Sequence, residues 1–94
     1  MTITFDSKVR VPEDVLVSEL DGESVLLNLQ RESYHGLDDV GTRFWERLTT
    51  SDSIQGAYEA LLADYDVDPD TLRGDLTELV GALHEQGLVE LVNA

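Results

Sequence analysis

The side chains able to perform catalysis are few and scattered. The chain has no cysteine and only two histidines. No thiolate nucleophile, thiolate metal site or disulfide can form. His35 and His84 stand far apart in the sequence, with no third histidine. A catalytic zinc site wants three protein ligands at suitable spacing. The two histidines therefore read as a polar strand residue and an exposed helix residue. Carboxylates are abundant, but most stand opposite an apolar stripe and read as a solvated face. No glycine-rich loop precedes a helix in a phosphate-binding pattern. Nothing resembles an activated nucleophile or a tuned acid–base pair. The expectation is a protein that is not an enzyme and needs no metal or cofactor.

Charge narrows the choice of partner. The formal net charge is -14, from 20 carboxylates against six bases, Lys8, Arg10, Arg31, Arg43, Arg47 and Arg73. Affinity for nucleic acid comes mainly from Lys and Arg on phosphates. This surface would repel a polyanion, so no nucleic acid is expected as a partner. The charge serves solubility, or it also draws in a basic partner; the composition leaves both open. Ninety-four residues suit one domain, taken as 1–94. The longest apolar runs resemble Val25-Leu26-Leu27, far short of the ~20 residues a membrane helix needs. Met1 to Arg10 shows no apolar signal core. The expected compartment is the cytoplasm, with no membrane partner.

Strand patterns fill the chain up to about residue 38, and helix patterns follow. Lys8 to Val11 reads as a short extended piece ended by Pro12. Val15 to Leu20 is a first main strand, and Asp21-Gly22 a turn favouring positive φ. Ser24 to Leu29 is a second strand, with Val25, Leu27 and Leu29 on one face and Leu26 and Asn28 on the other. A turn at Gln30-Arg31-Glu32 leads to a third strand, Ser33 to Leu37. Short links favour antiparallel neighbours, hence a three-stranded meander. Asp38 and Asp39 are N-cap candidates for a first helix with the stripe Val40, Phe44, Trp45, Leu48. Ser51-Asp52-Ser53 caps a second, with Ile54, Ala57, Tyr58, Leu61 and Leu62. Asp68-Pro69 starts a third, with Leu72, Leu76, Leu79, Val80 and Leu83, and Gly87 is a natural C′ residue. Leu88, Val89 and Leu91 suggest a terminal extended piece. The fold class is α+β, winged helix-turn-helix-like, with a three-stranded antiparallel sheet followed by three helices.

Several residues carry two readings. Tyr34 and Trp45 are either core residues tying sheet to helix or recognition aromatics. Gly74 and Gly81 mark tight helix packing or close approach of an extended peptide. The helix-turn-helix invites a reading as an acidic winged-helix transcription regulator. That reading is disfavoured because the third helix carries more acids than bases.

The wording Leu26-Leu27-Asn28-Leu29, then Tyr34-His35-Gly36-Leu37-Asp38-Asp39-Val40-Gly41, then Phe44-Trp45 resembles the PqqD-like proteins. So does the closing segment from Ala57 to Glu90, with its Leu-rich last helix and Gly87-Leu88-Val89 exit. Asp38 stands where that family often has Asn, and both cap helices. The family includes the elements that recognise precursor peptides made by ribosomes. The resemblance implies that a leader peptide adds as a strand to the third strand and packs on the third helix. It is most similar to the stand-alone leader-binding proteins of lasso peptide biosynthesis. The implied partners are then the precursor's leader, a separate leader peptidase and a cyclase that acts later. The alternative is a PqqD-type peptide chaperone for a radical SAM enzyme.

An exposed sheet edge suits strand addition. The third strand has no Lys, Arg or Pro to block it. Ser33, Tyr34, His35 and Gly36 are the expected backbone-pairing residues. On the third helix, Leu72, Arg73, Leu76, Thr77 and Val80 are expected to line side-chain pockets. Arg73 would give a polar contact, and the stripe is wide enough for Leu76 and Val80 to belong to the core instead.

Overall fold

Local signals place the boundaries. In the computed structural model, which describes residues 3–93, the order is β1 (Ser7–Arg10), β2 (Val15–Leu20), β3 (Glu23–Asn28), β4 (Ser33–Leu37), α1 (Asp39–Thr50), α2 (Ile54–Asp64), α3 (Pro69–Glu85) and β5 (Glu90–Asn93). Met1, Thr2 and Ala94, which the sequence reading assigns to the single domain, lie outside the described residues. Asp21 and Gly22 both take positive φ, 56° and 83°. That geometry matches the strand twist in a two-residue hairpin. The β3–β4 turn is organised by Asn28, whose side-chain oxygen accepts from the Gln30 and Arg31 backbone N–H groups at 2.9 and 3.0 Å.

Each helix has a side-chain cap. The Asp38 carboxylate accepts from the Gly41 N–H, the Ser53 hydroxyl oxygen from Gly56, and the Asp68 carboxylate from Thr71. Such caps satisfy donors that helix starts leave unpaired, at about 1 kcal/mol each. Pro69 follows Asp68 in the first turn of α3. The exit from α3 runs through Gly87 at φ 72°, where an added Cβ would meet Arg31 Nε and Asn28 Nδ2 at 2.9 Å. Glycine is required there by both conformation and space.

The main sheet is antiparallel in the order β2-β3-β4. Val15 pairs with Asn28 and Leu20 with Glu23, while Ser24 pairs with Leu37 and Asn28 with Ser33. Its inner face carries buried Val15, Leu26 and Leu37 onto the helices, with Phe44, Trp45, Leu48, Ile54, Leu61, Leu72, Leu76, Val80 and Leu83. Trp45 is core. One buried polar pair, Ser24 with Thr42 at 2.7 Å, joins β3 to α1. Arg47 and Asp64 bridge α1 to α2 at 2.7 Å on the surface.

β1 and β5 form a second, two-stranded sheet, with Ser7 opposite Asn93 and Arg10 opposite Glu90. The sequence shows both extended pieces but not their pairing. No described helix is long and apolar enough to cross a membrane.

Candidate functional site

The free edges of the main sheet follow from one hydrogen bond and the rule of alternation. In an antiparallel ladder a residue's N–H and C=O point to the same side, and the next residue's to the other. The Leu29 N–H donates to the Asp14 carbonyl at 2.9 Å, so Leu29 points toward β2. Val25 and Leu27 then also point toward β2, and Ser24, Leu26 and Asn28 toward β4. Their partners Leu37, His35 and Ser33 point back at β3. On β4, therefore, Tyr34 and Gly36 turn their N–H and C=O groups outward. Of the four strand residues expected to pair with a peptide, the register leaves Tyr34 and Gly36 available and commits Ser33 and His35 to β3.

α3 meets the start of β4 at one end and α1 at the other. At one end the Ser33 hydroxyl donates to the Gln86 carbonyl at 3.1 Å, and Arg31 Nη1 to the Glu85 carbonyl at 2.9 Å. Asn28 Nδ2 donates to the Gly87 carbonyl at 2.7 Å and closes the knot. At the other end, Val40 and Phe44 of α1 face Thr71, Leu72 and Asp75 of α3 across a slot of about 190 Å³, completed by Tyr65 and Val67. The start of β4 thus meets the end of α3, while the start of α3 faces α1, the helix that follows β4, across the slot. The slot has a local origin. Val67 precedes the Asp68 cap, and Leu72 is the fourth helical residue after it. That is the spacing of a hydrophobic staple. Leu79, half-buried, lies seven residues beyond Leu72 and so continues the same face toward Gln86.

The helix residues expected at the site divide. Leu72, Leu76 and Val80 are buried, Leu76 at 0 % exposure, and belong to the core. Only Leu72 also borders the slot. Arg73 points the other way. Its guanidinium stacks over the Phe5 ring at 3.9 Å and reaches toward Tyr58 at 5.6 Å and Gln55 at 3.4 Å. Thr77 spends its hydroxyl on the Arg73 carbonyl at 2.8 Å. Both sit on the α2 flank of α3, because residues 73 and 77 lie about a third of a turn round the helix from the core stripe, away from Asp75. Sequence reasoning missed Val40, Phe44, Val67, Asp75 and Leu79 as a group. The signal was present in Val40 and Val67, two apolar residues placed at helix starts and left exposed.

Tyr34 is 73 % exposed. It pairs with Leu27 on the outer face of the sheet, away from α1, so it is not core. Gly36 has nothing within 4 Å of an added Cβ. No packing inside the molecule explains that glycine, and a strand glycine often marks close approach of another backbone. Gly74 also meets nothing, while Gly81 lies against Ile3; neither faces the slot. Arg43, exposed on α1, has its pKa raised above the ordinary value, chiefly by its side-chain hydrogen bond to Tyr65. Tyr65 lines the slot. Among the described residues no three His, Cys, Asp or Glu side chains are grouped to hold a metal.

Residues 23–89 match the family described as coenzyme PQQ synthesis protein D, PqqD. The chain belongs to the PqqD family. The matched span of this PqqD-family protein runs from β3 to the residue before β5. Two solved structures share its fold. One is TbiB1 in complex with the TbiA(beta) leader peptide, 36 % identical, with a TM-score of 0.79, covering 86 % of this chain and 94 % of that one. The other is a lasso peptide synthetase B1 complexed with the leader peptide, 25 % identical, with a TM-score of 0.77, covering 88 % and 98 %. No curated protein sequence matches the PqqD-family chain.

Proposed function

We propose that this protein binds the leader segment of a ribosomally made precursor, of the lasso peptide kind, and presents it to a separate leader peptidase in the cytoplasm without catalysing a step itself. The observation that carries the reading is the 36 % identity, over 86 % of the chain, to a protein solved with a leader peptide bound. The local geometry supports it. Tyr34 and Gly36 offer outward backbone groups on a free edge, and the channel proposed for the leader runs from that edge along α3 to the slot. A leader strand would pair with them, and alternate side chains would reach the slot formed by Val40, Phe44, Val67, Leu72 and Asp75. Backbone bonds give affinity in such strand addition, and pockets give specificity.

The test is calorimetry with the synthetic TbiA(β) leader and with the leader of any lasso-type precursor encoded beside this chain's own gene. Mass spectrometry of the recovered peptide follows. Saturable binding with the peptide intact is expected. No binding of either peptide would refute the leader-binding reading, and cleavage by the isolated protein would refute the non-catalytic one.

A further inference from the structure

The sheet has a second edge. Asp14 points its carbonyl at β3, so by alternation Val15, Val17 and Glu19 turn their backbone groups away from it. The Val15 N–H bonds the Pro12 carbonyl at 3.1 Å. The Val17 and Glu19 N–H groups and three carbonyls remain turned outward. β2 has no Lys, Arg or Pro. Its only charge is the acid Glu19, and no proline interrupts the outward donors.

The surface around this edge has a consistent chemistry. Of the eight exposed large apolar side chains among the described residues, Leu16, Val17, Leu20, Val25 and Leu29 lie in the segment 13–29, with Leu20 at 75 % exposure. The same segment carries Glu13, Asp14, Glu19, Asp21 and Glu23 and no base. Exposed apolar surface of this extent marks interaction sites. Within the segment it is framed by one sign of charge, with Arg43 of α1 across a cavity from Glu19.

The geometry points to the β2 edge as a second docking site, for an extended segment of a partner protein that alternates apolar side chains and carries Lys or Arg at its ends. The ends of β2 select that occupant over a second copy of the chain. Self-pairing must match outward groups, so its two fullest antiparallel registers centre on Val17 or on Ser18. The first sets Glu13 against Asp21 of the other copy, the second Glu13 against Glu23. Either adds like-charge contacts at both ends to the meeting of two molecules of net charge -14. A strand with basic ends turns those contacts into attraction. The site is separate from the β4 channel and does not rest on leader binding.

The probe is a synthetic peptide, Lys-Arg-Val-Thr-Val-Thr-Val-Lys-Arg, with a counterpart carrying Glu at both ends. Binding is followed by two-dimensional amide NMR of the full chain. The basic peptide should shift Val17 and Glu19 and bind at least ~10-fold more tightly than the acidic one, the gap shrinking as salt screens the charges. Val17→Pro should abolish the shifts, with Leu16→Ser as a second variant that keeps the backbone donor and weakens them. Saturating TbiA(β) leader should leave them unchanged. The proposal fails if the footprint lies on Tyr34 and Gly36, or if both peptides bind alike. It also fails if sedimentation shows a dimer that Val17→Pro dissociates, since the occupant is then a second copy.

Discussion

β4 and β2 are opposite edges of one sheet, and they differ in what stands beside them. β4 is clipped to the end of α3 at Ser33, and the proposed channel beside it leads to an apolar slot between α1 and α3. β2 is bordered by acids and exposed aliphatics, with α1 across a cavity from Glu19. Both can add a strand, because both turn alternate backbone groups outward. An edge within a channel can read side chains on the incoming strand, whereas an open edge discriminates mainly by charge and register. In the proposed function, recognition of a particular peptide would therefore belong to β4.

The largest effect should come from removing an outward donor on β4. Gly36→Pro is expected to lower leader affinity ~100-fold or more, since it deletes a backbone bond and places a ring at the pairing line. Val17→Pro should leave leader affinity within about twofold, a change of under ~0.5 kcal/mol. Titration calorimetry of both variants checks the pair, and equal losses would erase the distinction between the edges. His35→Pro should instead lower the melting temperature, because its N–H serves β3.

Next in size is the knot that shuts the channel. Asn28→Ala leaves the Gln30 and Arg31 N–H groups and the Gly87 carbonyl without their side-chain partner, and should cost about 2 kcal/mol of stability. Urea denaturation measures it. A loss under about 0.5 kcal/mol would mean that the ends of β4 and α3 are held by Ser33 and Arg31 alone.

A smaller effect separates the two flanks of α3. Leu79→Asp should weaken leader binding ~10-fold by charging the wall of the channel. Arg73→Ala should reduce stability by about 1 kcal/mol through its lost stacking on Phe5, with leader affinity unchanged. If Arg73→Ala impairs binding in a folded protein while Leu79→Asp does not, the site lies on the α2 flank. The smallest expected effect is that of Leu16→Ser, within about 0.5 kcal/mol in stability, because the side chain is already in water.

Much of this was legible in the residues. Asp21-Gly22, Asp38, Ser53, Asp68-Pro69 and Gly87 each carry a local rule, and each sits where that rule puts it. Alternation in β3 was equally plain, but it does not say which face is inner. The face with three apolar residues, Val25, Leu27 and Leu29, turned out to be the outer one, and Tyr34 went with it. The stripe of α3 likewise showed which residues are core but not which flank meets β4. That choice is made by contacts distant in sequence, Phe5 on Arg73 and Val40 against Leu72. The edge on β4 was readable in outline, whereas the alternation that singles out Tyr34 and Gly36 needed the Leu29–Asp14 bond.

The pairing of β1 with β5 has a kinetic meaning. It joins Ser7 to Asn93 across nearly all of the described sequence, whereas β2, β3 and β4 are joined by tight turns. Contacts so distant in sequence require closing a long loop before any reward, so they should form late in folding. Their only ion pair, Arg10 with Glu90 at 2.7 Å, is exposed and adds little. Val9 and Phe5 are buried in the core, so the clasp should open by withdrawing them as a sub-global unit rather than by fraying. Amide hydrogens of Val9 and Leu91 would then exchange with solvent well before that of Leu26, and each opening would loosen the Phe5 ring from Arg73 while the meander stays folded.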